Sequence, residues 1–382
     1  MKLKKVIALL MSVVTVLGMT ACGGNDEKKN EDSTNATTQE AIDISKLTEE
    51  EIAHYKSQPL VVYTNSGSGG RADWWTKKAK EAGFTNITIV NGGASAMSEK
   101  IKAERKNPQA DVMCGLNAMG WADLKNEGLL MPYVPTWAGL VDEGMNDPEG
   151  YFHAITKEAI LLVYDKNTWT AEQAPSDWLD LWKDENTQYH GSFQCWSALT
   201  GGTTQVNLTG ILHRYKSDAA DAKYGVSPEG WNEIRQMYKY GVSASGDVIS
   251  AIAAIDGSQQ TVHCGQWYSS GVKSYSETYE VELDYVVPEV GVPYAITGCG
   301  IIQGSKNPIT AALFIEWYGS TEFQTTWAKA WDTAPANKEA WEAGASEDAK
   351  KYTNLPQQQI DWDWAQKHMG EWVEYITLQF MK

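Results

Sequence analysis

Residues 60–75 read LVVYTNSGSGGRADWW. Leu60 to Thr64 is a short apolar run rich in β-branched and aromatic side chains, the composition of a buried strand. It stops in a polar loop holding Gly67, Gly69 and Gly70, and an amphipathic helix starts at Arg71. Strand, glycine-rich turn and helix in that order form the unit of a parallel sheet, because parallel neighbours need a crossover between them.

Working outward, the unit recurs. TNITIV (85–90) predicts a second strand and GGASAMSEKIKAERKN (92–107) a second helix, capped by Ser95 or Ser98. ADVMCGL (110–116) and GWADLKNEGLL (120–130) predict a third pair. The middle repeats the theme with AILLVYDKNTW (159–169), a helix in APSDWLDLWKDE opened by Pro175 and Ser176, the strand GSFQCW, and a helix from about Thr203 to Tyr215. Residues 307–331 read as one helix with Pro308 in its first turn, where a missing N–H costs nothing. The tail from Asp361 to Phe380 places Trp364, His368, Trp372 and Tyr375 on one helical face, a packing stripe. The pattern gives an α/β fold of two halves joined by strand-like crossings near 154–164 and 284–303.

The ends set the compartment. Lys2, Lys4 and Lys5 precede an apolar stretch from Val6 to Met19, shorter than the ~20 residues of a spanning helix. Leu-Gly-Met-Thr-Ala-Cys (17–22) resembles the lipobox of bacterial lipoproteins, with Met19 a departure from its usual pattern. That resemblance implies a signal peptide over 1–21 and lipidation of Cys22. Ordinary secretory cleavage is the alternative, and both mean export. From Gly23 to Ala41 there is no large apolar residue, so the stretch cannot offset its ordering entropy. Residues 22–56 are therefore assigned to the lipidated cysteine and a disordered tether, although SKLTEEEIAHY within them has the form of a short helix capped by Ser45 or Thr48.

The net charge is −17, and losing the three leader lysines takes it to about −20. This argues against nucleic acid or an anionic bilayer as a partner. It leaves room for a small anion held by helix N-termini, and it steers amines. Cys114, Cys195, Cys264 and Cys299 lie near predicted strand ends. They are either buried free thiols or the pairs Cys195–Cys264 and Cys114–Cys299.

The lipobox, the tether, the strand ending in YTNSG, TKEAILLVYDKN (156–167), PSDWLDLW (175–182), SALTGGTTQ (197–205), YVVPEVG (285–291) and GSKNPITAALFIEWYGSTEFQTTWA (304–328) occur in that order. Together they resemble a bacterial ABC-transporter solute-binding protein of the type II periplasmic-binding-protein fold. The narrower likeness is to the branch holding ferric-ion, sugar-phosphate, phosphonate and thiamine receptors. The resemblance implies two lobes, each a mostly parallel sheet flanked by helices, with two β-crossings at a hinge. The division expected is lobe 1 over 57–155 plus 296–382 and lobe 2 over 156–295. It also implies a membrane-spanning ABC permease as partner, no cofactor, no enzymatic activity, and a monomer on the outer face of the cell membrane.

Ligands of such sheets lie beyond the strands' carboxyl ends, where helix N-termini converge. The loops at those ends offer Thr64, Asn65, Ser66, Ser68, Gly69 and Arg71; Ser95 of NGGASAMS; Asn117; Ser197, Thr200, Gly201, Gly202 and Thr203; and Tyr268 of YSSG. Glycine admits close backbone approach, small hydroxyls donate hydrogen bonds, and Arg71 offers a bidentate fork. Such loops suit a phosphorylated or phosphonylated organic anion. Trp121, Trp196 and Trp267 follow strand ends and could stack on a sugar or an amine, whereas Trp74, Trp75, Trp178, Trp182, Trp317 and Trp327 fall inside helices and read as packing. A neutral sugar or polyol, a polyamine and ferric ion remain as alternative ligands. No adjacent Tyr-Tyr pair of the ferric receptors is present, and the histidines are too scattered for zinc. An enzyme or a surface interaction protein on this fold is the reading from a different class; no G-x-S-x-G or H-E-x-x-H occurs.

Overall fold

The computed structural model describes residues 42–243, 248–253 and 261–381. The signal peptide and Cys22 lie outside the described residues. Residues 42–56, which the sequence places in the tether, are packed protein. They hold α1 (Glu49–Lys56), opened by a reciprocal capping box between Thr48 and Glu51. Ile44, Leu47, Ile52 and Tyr55 lean on the lobe 1 core, and Thr310 Oγ1 donates to the Tyr55 carbonyl at 2.9 Å.

Lobe 1 then builds β1 (Leu60–Thr64), α2 (Arg71–Glu81), β2 (Ile87–Asn91), α3 (Ala94–Ala103), β3 (Val112–Gly115), α4 (Ala118–Asn126) and the short β4 (Leu130–Met131). β1 pairs in parallel with β2 and β3, as the opening stretch demands. The long β5 (His153–Asp165) carries the chain into lobe 2. There follow β6 (Gln194–Cys195), α5 (Gly202–His213), α6 (Pro228–Tyr240), β7 (Val242–Ser243), α7 (Val248–Ala253), β8 (Cys264–Tyr268), α8 (Ser269–Tyr279) and β9 (Leu283–Val286). PSDWLDLW forms a single 3-10 turn, Trp178–Trp182, rather than an α-helix, with Asp177 accepting from Leu179 N–H.

β10 (Tyr294–Ile302) returns the chain, running antiparallel to β5, β3 and β4, so one continuous sheet ordered β2-β1-β3-β10-β5-β8 passes through the hinge. The parallel pairings are β1–β2, β1–β3 and β6–β7; the two crossing strands bring the antiparallel ones. The helix expected over 307–331 is two, α9 (Pro308–Tyr318) and α10 (Thr321–Trp331), broken at Gly319. A Cβ there would meet the Trp137 ring at 2.1 Å, so only glycine lets Trp137 close the turn.

After α11 (Lys338–Gly344) come α12 (Glu347–Thr353) and α13 (Trp362–Gln379). The sequence assigns all of 296–382 to lobe 1. Instead α13 buries Trp364, Ala365, Met369, Trp372 and Ile376 in a cluster dominated by the lobe 2 residues Trp182, Phe193, Leu208 and Trp231, and Trp372 Nε1 donates to the Tyr224 carbonyl at 2.9 Å. α12 joins lobe 2 as well, since the Tyr352 ring packs edge-on to Tyr285 at 5.2 Å. The apolar stripe is packing surface, as its spacing predicts; it is buried mainly among lobe 2 residues, while the helix also lies against α4 of lobe 1, where Met119 joins the same cluster as Met369.

All four described cysteines are buried free thiols. Cys114 and Cys299 face each other directly across β3 and β10, and burial pushes both thiols up. Among the described residues, no helix is long and apolar enough to cross a membrane.

Candidate functional site

The crossing ribbon has two faces, because side chains alternate along a strand. One face presents Thr156 and Glu158 from β5, opposite Thr297 and Ala295 of β10. These four floor a cleft of about 490 Å³ between the lobes, within the size range of small-solute sites. Lobe 1 supplies Asn65, Ser66, Ser68, Arg71, Asn91, Gly92, Gly93 and Asn117; lobe 2 supplies Gly201, Gly202, Thr203, Tyr268 and Ser270. Tyr318, Trp327 and Thr333 complete the lobe 1 wall.

Two of the helices aimed at this space begin without a side-chain cap, as α6 and α9 do elsewhere. Around the periphery Thr48, Ser320, Asn337, Ser346 and Asp361 each cap their own helix through a side-chain oxygen. At the cleft, α3 starts at Gly93 and α5 at Gly201, neither with a side-chain cap. The sequence suggests Ser95 or Ser98 as the cap of α3. Ser95 instead donates across the cleft to the Thr200 carbonyl at 3.0 Å. The first N–H groups of α3 and α5, one helix from each lobe, therefore remain open, with the positive ends of both dipoles toward the same space.

Several donors are held in place by their own acceptor halves. Asn65 Oδ1 accepts from Leu116 N–H at 2.7 Å and Asn91 Oδ1 from Gly67 N–H at 2.9 Å, which turns both amide NH2 groups away from the backbone. Gly115 makes the first arrangement possible: its φ of +104° and the Asn65 oxygen, 2.0 Å from where a Cβ would sit, exclude any side chain there. The Thr156 and Thr297 hydroxyls bond each other at 2.6 Å. The Thr333 hydroxyl, 3% exposed, has no partner among the described residues.

Arg71 opens α2 behind left-handed Gly70. Its guanidinium lies 5.4 Å from the Trp331 ring centre and makes no ion pair among the described residues, so its N–H edge is available. Trp74 and Trp75 do not reach the cleft; they support it. Trp75 is fully buried and stacks on Tyr318 at 4.5 Å, and Trp74 packs edge-on to Trp327 at 5.5 Å.

Glu158 is the one carboxylate among the described residues lining the cleft. Burial raises its pKa, opposed by hydrogen bonds from Ser270 and Ser269 and by the charge of Arg71. The native state thus holds this proton more tightly than the unfolded chain does. The stabilisation is full below the ordinary value of 4.5 and is lost as pH rises through the raised native value. Melting curves of the ligand-free protein should show Glu158→Gln gaining stability relative to wild type as pH climbs through that window. A pH-independent difference between the two would contradict the burial argument.

Of the residues expected at the site, Asn65, Ser66, Ser68, Arg71, Asn117, Gly201, Gly202, Thr203 and Tyr268 line the cleft. The others do not. Thr64 is fully buried, its Oγ1 taken by Ser66 N–H. Gly69 lies on the exposed tip of the turn. Ser95 and Thr200 bond each other across the mouth. Trp196, Ser197 and Trp267 line a neighbouring lobe 2 cavity of about 360 Å³, where Trp196 Nε1 donates to Gln266 at 2.9 Å. Trp121, expected as a stacking surface, is core: it is 1% exposed and stacks on Phe152 at 5.5 Å. The aromatic wall comes instead from Trp327, Tyr318 and Tyr268. Thr156, Glu158 and Thr297 escape a reading of the sequence because nothing local marks which face of a crossing strand meets the cleft.

Two lobes, a strand hinge and a donor-lined cleft between them define a solute-capturing receptor. Residues 74–357 match the family described as bacterial extracellular solute-binding protein. A probable ABC transporter periplasmic-binding protein, y4fP of Sinorhizobium fredii, is 30% identical over 320 residues, covering 84% of this chain and 86% of its own. The chain belongs to the bacterial extracellular solute-binding proteins, as an extracytoplasmic receptor of the ABC-transport type. Two solved structures share the fold. The ferric binding protein from Campylobacter jejuni has a TM-score of 0.68 at 20% identity, covering 84% of this chain and 99% of that one. The periplasmic binding protein AfuA from Actinobacillus pleuropneumoniae, with exogenous fructose-6-phosphate bound, has a TM-score of 0.66 at 20% identity, covering 84% and 98%. A rhodanese-like domain also matches residues 27–100, but that stretch contains no cysteine to carry thiolate chemistry.

Proposed function

We propose that the cleft captures a small phosphorylated or phosphonylated organic anion and that the receptor hands it to a membrane-spanning ABC permease. The observation that carries this reading is the meeting of two uncapped helix N-termini, α3 from lobe 1 and α5 from lobe 2, beside Arg71. Open N–H groups and helix dipoles favour an oxyanion, and a guanidinium fork matches two of its oxygens. Because donors come from both lobes, the full set forms only when the lobes close.

The same donors argue against ferric ion. Fe(III) wants several anionic oxygens; the described residues of this cleft offer one carboxylate and two phenols, Tyr268 and Tyr318, whose ionisation burial opposes, and set a fixed cation in the same space. The sugar-phosphate seen in AfuA fits a donor-lined cleft better than iron does. The receptor is further proposed to act as a monomer, held to the outer face of the membrane by lipid on Cys22.

The test is a thermal-shift panel of organic phosphates, phosphonates, neutral sugars, polyamines and Fe(III). Stabilisation by phosphates or phosphonates is expected. A shift with a sugar or an amine and none with any oxyanion would overturn the ligand class while leaving the receptor role intact.

Closure should also depend on the bonds that already cross the mouth. Asn117 Nδ2 donates to the Gly202 carbonyl at 3.1 Å, while its Oδ1 accepts from Gly120 N–H. Asn117→Asp keeps the cap but replaces the cross-lobe donor with an acceptor facing a carbonyl. Ligand affinity should fall by roughly tenfold, about 1.4 kcal/mol, in titration calorimetry, with the ligand-free melting temperature little changed. Unaltered affinity would remove this bond from the closed state.

A further inference from the structure

Glu158 does more than its visible hydrogen bonds require. Its Oε2 accepts from Ser269 Oγ at 2.9 Å and from Ser270 N–H at 3.0 Å, which caps α8. Among the described residues no hydrogen bond of ordinary geometry reaches its Oε1, although the Ser270 hydroxyl also favours the charged carboxylate; the residue is only 8% exposed and lines the cleft. Where a side chain caps another α-helix of this protein, it is that of a neighbouring Ser, Thr, Asn or Asp. Here the cap is a carboxylate delivered from a hinge strand 112 residues away. A cap needs one oxygen; the second is left facing the cavity.

The surroundings make that oxygen a demand on the ligand. The residue opposite Glu158 on β10 is Ala295, the smallest side chain that keeps the strand, so space remains above the carboxylate. Arg71 is near enough for its charge to be felt at Glu158, yet no ion pair joins the two among the described residues. A cation and an acceptor therefore flank the same cavity without satisfying each other. A buried carboxylate oxygen with no donor is costly, and a bound solute that excludes water must supply one.

We propose that Glu158 is the specificity-determining residue of this cleft, selecting a solute that carries a hydrogen-bond donor, hydroxyl or ammonium, on the body attached to its oxyanion. This rests on the oxyanion reading and extends it: Arg71 with α3 and α5 holds the anionic end, and Glu158 tests the other. A solute with a bare alkyl body leaves Oε1 dehydrated and unpaired.

The experiment uses three probes of matched length, propylphosphonate, 3-hydroxypropylphosphonate and 3-aminopropylphosphonate, with inorganic phosphate as reference. Calorimetry on the wild-type protein should give at least one donor-bearing probe about 10- to 100-fold tighter than propylphosphonate. The stronger of the two identifies the donor as hydroxyl or ammonium. In Glu158→Gln the amide oxygen can retain the cap and turn its NH2 toward the cleft, so the ratio should collapse toward one. A purely structural cap would shift the melting temperature and leave the ratio alone. Equal affinity for all three probes, or binding of phosphate with no gain from either donor, overturns the proposal and leaves the oxyanion reading standing. Failure of every probe, phosphate included, sinks both. Should Glu158→Gln not fold, the wild-type ratio alone decides between selection and indifference.

Discussion

Arg71→Ala should weaken binding of a phosphorylated or phosphonylated ligand by about 100-fold, close to 3 kcal/mol, in titration calorimetry. The guanidinium is the cleft's fixed cation, and among the described residues it makes no ion pair whose loss would unbalance the fold. Its cost to stability comes from the contact with Trp331, worth on the order of 1 kcal/mol or less at a partly exposed site, and from the loss of its charge near the buried Glu158 carboxylate. The melting temperature without ligand should barely move while the ligand-induced shift disappears. Arg71→Lys keeps the charge but not the planar fork, so it should fall between the two. Full anion affinity in Arg71→Ala would detach the anion from this residue and undo the proposed ligand class.

Trp75→Ala should produce the reverse pattern, a large loss of stability. Trp75 is fully buried and packs against Tyr318, Phe314 and Trp327. Truncating a buried tryptophan costs about 3–5 kcal/mol through lost transfer energy and the cavity left behind, which for a chain of this size lowers the melting temperature by on the order of 10 °C. Tyr318 and Trp327 form the cleft's aromatic wall, so surviving protein should also bind ligand less tightly. Trp74→Ala, at a half-buried position, should cost clearly less. Equal effects from the two substitutions in a melting experiment would mean that their packing has been misassigned.

The two tryptophans also show what sequence can and cannot reveal. Their place on an amphipathic helix marks them as packing, and Trp75 is indeed fully buried against Tyr318. The loops at 64–71 and 197–205 are legible for a similar reason: a strand, a run of glycines and hydroxyls, then a helix is a local pattern with a local consequence. Glu158 is illegible because TKEAILLVYD gives no sign of which face will meet the cavity. That depends on register with a strand more than a hundred residues later. Trp327 and Tyr318 mislead differently, being core and cleft wall at once, and helical spacing reports only the first. The last helix shows its buried stripe plainly, yet periodicity says that a face is covered and never by what.

That last helix has a practical consequence. Because α1 rests on lobe 1 and the last turns of α13 rest on lobe 2, where Tyr375 meets Trp231 edge-on, these two ends of the described residues ride on opposite jaws. Leu378, 70% exposed near the end of α13, and a surface position on α1 such as Glu50 would each carry a dye without entering the cleft. Resonance energy transfer between them would change as the jaws shut, giving an optical reporter of capture in which the ligand itself needs no label.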